Sequence, residues 1–386
     1  MSARQIVVIG SGPAALATVR GYRDAGGDGA LAIVGEEPQL PYERPPLTKE
    51  FLRGESDRDE LVLERSSWYD EQSVELHLGS RAVRIDPARG EVVLESGARL
   101  PADACVLATG ARPLRPPLPG AEHDDVLEMR RVGDSERLAA RAATSDRAVV
   151  VGSGFIGCEA AASLALLGLE VTIVTGEELP QKTRLGFAAG AHIADWLRDA
   201  GVTLLPEVEV RSIEDARGVR LADGPELAAD LVLLATGVTP NGDLATDVGL
   251  ELRDGAVPVD SSMRSLHPFI SAAGDVARAQ NELARRPLRV EHWGDALAQG
   301  EVAGRALAGQ DAVWEEVPGF WSTIGSRTLK HAAWGDGFDD ARAVEHDNGA
   351  FTVWYTRAAV VVGVLTHERD EDYDRGRRLI AHGESL

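Results

Sequence analysis

The chain opens with an apolar run, Ile6-Val7-Val8-Ile9, that no polar residue interrupts. Such a run predicts a strand buried on both faces, as in a parallel sheet. It leads through Gly10-Ser11-Gly12-Pro13-Ala14 into an Ala/Leu-rich stretch, Ala15 to Ala25, that predicts a helix, and then into a second apolar strand, Leu31 to Val34. The same order returns in mid-chain. Ala148-Val149-Val150-Val151 runs into Gly152-Ser153-Gly154-Phe155-Ile156-Gly157, a helix over Cys158 to Leu167 and a strand over Val171 to Val174. Between the copies, a strand-rich segment from Val74 to Leu100 carries turn signals at Pro87-Ala88-Arg89-Gly90 and Glu95-Ser96-Gly97. It predicts a small antiparallel insert. The Pro-rich stretch from Arg112 to Gly120 predicts a crossover between domains. Further on, Phe269 to Ala272 reads as a strand and Asp295 to Leu307 as a small-residue helix.

Strand, glycine turn, helix, strand is the βαβ arrangement that binds dinucleotides. Gly10 and Gly152 permit the tight turn, Gly12 and Gly154 let the backbone approach a diphosphate, and Ala15 or Gly157 lets helix and strand pack closely. The diphosphate then rests on the helix N-terminus, where N–H groups and the macrodipole favour negative charge. One such turn is weak evidence, but here a second element repeats as well. Val106-Leu107-Ala108-Thr109-Gly110-Ala111-Arg112-Pro113 recurs as Leu233-Leu234-Ala235-Thr236-Gly237-Val238-Thr239-Pro240. The expected class is α/β, with two Rossmann-like domains binding two nucleotides.

At 386 residues there is room for more than one core. The formal charge of −22 argues against sequence-independent binding to nucleic acid, whose affinity comes from neutralised phosphates. No apolar run is long enough to cross a bilayer and no cleavable leader is evident, so a cytoplasmic protein is expected, with no membrane partner. Cys105 and Cys158 read as small buried hydrophobes outside any CxxC pair, which argues against a dithiol centre or a zinc site, and no metal is expected.

The glycine motifs have company. Pro41-Tyr42-Glu43-Arg44-Pro45-Pro46-Leu47-Thr48-Lys49, Ala273-Gly274-Asp275-Val276, Glu291-His292-Trp293 and Phe320-Trp321-Ser322 follow in that order. Together they resemble the FAD-dependent NAD(P)H:ferredoxin reductases of oxygenase systems, from Ile6 to about Ile380. These are relatives of the pyridine nucleotide-disulphide oxidoreductases without the redox cysteines. The resemblance implies a split FAD domain over 1–114 and 241–312, an NAD(P)H domain over 115–240 and a C-terminal α+β domain over 313–386 covering the flavin. It also implies hydride transfer from NAD(P)H to FAD, then single-electron transfer to a ferredoxin-like iron–sulfur protein.

Carried over residue by residue, the resemblance places Lys49 by the isoalloxazine, paired with Glu159, where a fixed ammonium stabilises developing negative charge. Arg44 supplies further positive charge, in a segment that its prolines are expected to hold extended. Glu36, or Glu37 beside it, is placed to accept hydrogen bonds from the adenosine ribose of FAD. Asp275 binds the ribityl chain or caps a helix. The helix after Glu291-His292-Trp293 directs its dipole at the pyrimidine oxygen; Trp293 serves there or as a core aromatic, and His292 as a packed, hydrogen-bonded side chain. Phe155 covers the flavin until nicotinamide displaces it, and Trp321 lies on the partner-facing side.

Two departures stand out. The acidic residue usual at the end of the nucleotide-domain strand is Thr175 here, followed by Gly176-Glu177-Glu178. Glu177 reaching the ribose favours NADH; Thr175 with Lys182 or Arg184 would accept the 2′-phosphate of NADPH, and NADH is preferred. After Trp321-Ser322 an Asp-Gln-Tyr-like run is replaced by Thr323-Ile324-Gly325. That change leaves open a flavin-dependent oxidase or reductase acting directly on oxygen or a quinone, and a redox-sensing binding protein is a third possibility. Arg278, Arg285, Arg286 and Arg289 form a basic docking patch for an acidic ferredoxin or are scattered solvated charges.

Overall fold

The computed structural model describes residues 4–386. Its contacts divide the chain into two compact units. The first comprises the chain up to Glu43 with Val62–Arg112 and Thr239–Phe320; the second comprises Arg44–Leu61, Pro113–Val238 and Trp321–Leu386.

In the first unit a five-stranded parallel sheet runs in the order Ile270–Ala272, Ala104–Leu107, Gln5–Ile9, Ala30–Val34, Val74–His77. Ile6, Val7, Val8, Val106 and Leu107 are almost fully buried, as strands covered on both faces require. The helix Pro13–Asp24 packs on Trp293–Leu307 through residues that lack side chains. A Cβ on Gly300 would stand 2.3 Å from the Ala14 carbonyl oxygen, one on Gly304 2.1 Å from that of Thr18, and one on Gly21 2.4 Å from that of Glu301. The two helix backbones are therefore nearly in contact. Ala82–Asp86, Glu91–Leu94 and Arg99–Pro101 make an antiparallel sheet.

The second unit repeats the plan. Its parallel sheet runs Val202–Leu205, Glu170–Val174, Arg147–Val151, Leu231–Leu234, Val126–Leu127. A three-stranded antiparallel sheet, Val210–Glu214, Gly218–Leu221 and Glu226–Ala228, shares a core with it through Ile213, Val219, Val149 and Val232. The C-terminal part is a five-stranded sheet, Gly319–Ile324, Arg327–Ala333, Val360–His367, Phe351–Arg357, Asp340–Glu345, with the helix Asp370–His382. The α/β class expected from the sequence is borne out.

Several local expectations change. Val74–His77 is the edge strand of the parallel sheet, pairing Val74 with Leu31, so the antiparallel insert is confined to Ala82–Pro101. The four-residue stretch Val74-Glu75-Leu76-His77 carries no sign of which sheet it joins. Both glycine-turn helices start earlier than the Ala/Leu pattern indicated, at Pro13 and Phe155, because Gly12 and Gly154 are their N-caps. The later helix starts at Trp293, with His292 as N-cap. Pro45–Thr48 is a 3-10 turn rather than an extended run. Proline's fixed φ suits the first position of a helical turn as well as an extended chain.

Gly304→Val should lower the thermal midpoint by the equivalent of about 3 kcal/mol or more, since nothing but backbone faces the new side chain. An unchanged midpoint in a melting experiment would contradict the helix contact.

Candidate dinucleotide sites and a buried lysine–glutamate pair

In the first unit the strand Gln5–Ile9 delivers the chain to Gly10, whose φ of 123° is a glycine conformation. A Cβ there would lie 2.0 Å from the Ala108 carbonyl oxygen, so the turn closes against the Thr109-Gly110 strand end. Gly12 is the reverse case: a Cβ would meet no heavy atom within 4 Å. No side chain caps the helix it begins, with Pro13 first and buried Ala14 and Ala15 behind it. Bare backbone at a helix tip facing unfilled space is what a diphosphate needs, so these residues fit FAD.

Around that tip, Gly274 (φ 79°) donates its N–H to the Gln299 side-chain oxygen at 2.9 Å, with buried Asp275 beside it. Thr109 and Asn241 exchange two hydrogen bonds, Thr109 Oγ1 to the Asn241 carbonyl at 2.8 Å and Asn241 Nδ2 to the Thr109 carbonyl at 2.9 Å. Arg112 donates to Asn241 Oδ1 at 2.9 Å and pairs with Asp243. Glu36 is exposed after Gly35, whereas Glu37 accepts the Tyr42 hydroxyl at 2.6 Å. His292 lies 3.2 Å from Asp295 Oδ2 and stacks obliquely on Phe320, a packed histidine. Trp293 is half-buried as the first helical residue, and Glu291 pairs with Arg289 at 3.1 Å. Arg278 pairs with the Asp254 carboxylate, while Arg289 donates to the Asp254 carbonyl at 3.0 Å, so Asp254 and Glu291 neutralise part of the basic hairpin.

The second unit holds the matching tip. Gly152 (φ 106°) would clash through a Cβ with the Ala235 carbonyl oxygen at 2.4 Å, and Gly157 with that of Gly152 at 2.3 Å. At Gly154 the nearest atom to a Cβ is Gln181 Nε2, 3.7 Å away. Phe155 and Ile156 are half-buried in the first helical turn, and Gly237 (φ 103°) sits exposed after the strand Leu231–Leu234. Thr175 is buried and shares a 2.8 Å hydrogen bond with Ser153 Oγ, so it turns inward. Glu177 takes the rim: its carboxylate accepts the Gln181 and Thr183 N–H groups, each at 3.0 Å, and lies 3.5 Å from Ser153 Oγ.

Also within the second unit, Lys49 and Glu159 form an ion pair at 2.9 Å, each side chain only 9% exposed. Lys49 follows the Pro45–Thr48 turn, which hydrogen bonds hold on two helices: Ser135 Oγ donates to the Leu47 carbonyl and Ser163 Oγ to the Thr48 carbonyl, both at 2.7 Å. Arg44 donates to the Arg130 carbonyl at 2.6 Å. Glu159 Oε2 accepts Lys49 and the Thr48 hydroxyl (2.5 Å); Oε1 accepts the Ser322 hydroxyl (2.7 Å) and the Thr323 N–H (3.2 Å). Both carboxylate oxygens are thus doubly satisfied, as a buried charge demands. Trp321, next to Ser322 on the strand, points outward and is 46% exposed.

Cys105 and Cys158 are free and buried in different units, and desolvation pushes both thiols upward, away from nucleophilic use. Thr323-Ile324-Gly325 has a structural explanation. Gly325 (φ 62°) turns the hairpin, Ile324 is buried, and Thr323 Oγ1 is 2.8 Å from Thr328 Oγ1 across the two strands. The residues that sequence reasoning missed are Thr48, Ser322, Thr323, Asn241 and Gln299. Two of them had a local signal: Thr48 lies in the motif that ends at Lys49, and Ser322 lies in the Phe320-Trp321-Ser322 motif on the face opposite Trp321.

Two parallel sheets, each ending in a bare glycine-lined helix tip, define a two-dinucleotide oxidoreductase. The profile of the pyridine nucleotide-disulphide oxidoreductases matches residues 4–300, and the chain belongs to that family. It is 32% identical to rhodocoxin reductase of Rhodococcus erythropolis over 382 residues, covering 97% of this chain and 89% of that protein. It is 30% identical to putidaredoxin reductase CamA of Pseudomonas putida over 389 residues, covering 97% and 91%. Among solved structures, it matches the putidaredoxin reductase in the covalent putidaredoxin reductase–putidaredoxin complex with a TM-score of 0.94 at 28% identity, covering 99% and 94% of the two chains. The chain is an oxidoreductase of the ferredoxin-reductase type.

Two outcomes are expected. Lys49→Met strands the buried Glu159 carboxylate and should cost about 3–5 kcal/mol in denaturant unfolding, while Lys49→Met with Glu159→Gln should recover part of it. A double variant that loses as much as Lys49→Met alone, or more, would contradict a stranded carboxylate as the source of the loss. Gly12→Val fills the open space at the first tip and should yield colourless protein. A fully flavinated Gly12→Val protein would show that the diphosphate lies elsewhere.

Proposed function

We propose that this chain is an FAD-dependent NAD(P)H:ferredoxin reductase. The paired helix tips at Gly12 and Gly154, each lacking a side chain where a diphosphate would lie, carry that reading. FAD, when bound, accepts two electrons as hydride and releases them singly, which suits a one-electron carrier as acceptor. In this reading Gly10, Gly12, Pro13, Ala14 and Ala15 hold the FAD diphosphate, Glu36 its ribose, Asp275 the ribityl chain, and Thr109, Gly110, Arg112, Gly274, Glu291, His292 and Trp293 line the rest of its site. Gly152, Gly154, Ile156, Gly157, Glu177 and Gly237 hold the nicotinamide nucleotide. Lys49, set by Glu159, and Arg44 supply the positive charge that stabilises reduced flavin. Phe155 shields the hydride-transfer position, and Trp321 meets the acceptor.

We also infer NADH as the preferred donor. With Thr175 turned inward, Glu177 is the charge at the ribose end, and its carboxylate repels a 2′-phosphate. An iron–sulfur protein of the ferredoxin type is the acceptor we favour over oxygen, since the Thr323-Ile324-Gly325 run is explained as a hairpin turn. Two buried, unpaired cysteines suit a reducing compartment, and we place the protein in the cytoplasm. Among the described residues no helix is long and apolar enough to cross a membrane.

Anaerobic titration followed by re-oxidation tests the whole reading. NADH should bleach the flavin faster than NADPH does at equal concentration, and a ferredoxin should re-oxidise it faster than air-saturated buffer. Faster re-oxidation by oxygen than by every ferredoxin in a panel would replace the reductase with an oxidase.

A further inference from the structure

The longest helix of the second unit, Lys182–Asp199, is broken one turn from its start. Gly186 there has φ 78° and ψ 179°, a conformation almost restricted to glycine. Phe338 and Ala341 close on the place its Cβ would occupy, at 3.1 and 3.7 Å. Ahead of the break lies a single turn, Gln181 to Leu185, closed by the Arg184 and Leu185 N–H groups bonding to the Gln181 carbonyl. It is clamped at both ends. At the front, the Glu177 carboxylate accepts the Gln181 and Thr183 N–H groups, and Gln181 Nε2 donates to the Ser153 carbonyl at 3.1 Å. At the back, the buried Leu185 offers its carbonyl to the Tyr355 hydroxyl at 2.8 Å.

Tyr355 belongs to the C-terminal strand Phe351–Arg357 and is 2% exposed. Its ring has room because Gly363, its partner on the neighbouring strand, has no side chain; a Cβ there would stand 3.1 Å from the ring. Phe338 packs against the same ring at 4.7 Å. Desolvation pushes the phenol upward, so the hydroxyl stays protonated and donates. The clamped turn reaches the nucleotide tip at two points. Gln181 holds Ser153 inside the glycine turn, and the Arg184 guanidinium lies 5.9 Å from the ring of Phe155, the first helical residue.

We propose that Tyr355 is a positioning residue for nicotinamide-nucleotide binding, acting through the Gln181–Leu185 turn on the adenosine half of the ligand. The inference rests on the reading that the Gly154 tip binds NAD(P)H. Without the hydroxyl, the buried Leu185 carbonyl loses its link to the C-terminal sheet, and the turn shifts. Glu177 and Ser153 shift with it.

The test is Tyr355→Phe in the holoenzyme, read by calorimetric titration. Dissociation constants for NAD+ and ADP-ribose should rise roughly five- to tenfold. Nicotinamide mononucleotide affinity and flavin content should stay at wild-type values. In turnover, the effect should fall on KM for NADH rather than on the rate at saturation. Gly186→Ala, which disturbs the same turn from the other side, should weaken ADP-ribose in the same direction. If Tyr355→Phe binds ADP-ribose as tightly as wild type while melting earlier, the tyrosine is structural only and the inference falls. Wild-type protein that binds neither NAD+ nor NADP+ would overturn the nucleotide assignment itself, and this inference with it.

Discussion

A strand that passes into a helix through a glycine-bounded turn brings main-chain N–H groups to the open end of the helix. The same turn must close tightly against the end of a neighbouring strand. Gly10 and Gly152 meet the second requirement, each with positive φ and each facing a carbonyl that any Cβ would strike. Gly12 meets the first by opening on space that the protein leaves unfilled, and Gly154 leaves its helix tip bare, with Gln181 Nε2 3.7 Å from where a Cβ would stand. Much else in each unit serves this corner: buried apolar strands that fix the sheet, and in the first unit two helices pressed together through Gly21, Gly300 and Gly304.

A second constraint is the burial of charge. Lys49 and Glu159 are withdrawn from solvent together, which would be costly if either were left with unmet hydrogen bonds. The 3-10 turn of residues 45–48, the helix Phe155–Leu166 and the strand bearing Trp321 converge on that one carboxylate. The outward face of that strand exposes an indole while its inward face orients Glu159. The Thr323 contact with Glu159 comes from its backbone N–H, so it does not depend on which side chain stands at that position.

The nicotinamide side shows how a side chain remote in sequence serves a local motif. Glu177 lies two positions past the strand end where an acidic residue was expected, yet it reaches the glycine turn because the strand-to-helix loop folds back on its own carboxylate. The loop is then closed from the C-terminal sheet by Tyr355, 170 residues further along the chain.

How much was readable from the residues alone follows from the range of each interaction. The two βαβ units were legible because every requirement lies within a few dozen residues, in apolar runs, glycine spacing and a repeated strand end. The family and the pairing of Lys49 with Glu159 followed from ordered motifs. The sheet to which Val74–His77 belongs, the 3-10 turn at Pro45–Thr48 and the helix starts at Pro13 and Phe155 were not legible, since a four-residue alternating stretch, a proline pair or a glycine turn suits more than one backbone path. The remaining donors to Glu159 and the Tyr355 clamp were decided by tertiary structure alone. Ser322 and Tyr355 meet partners 163 and 170 positions away, and a hydrogen bond across that separation leaves no local pattern in the residues that make it.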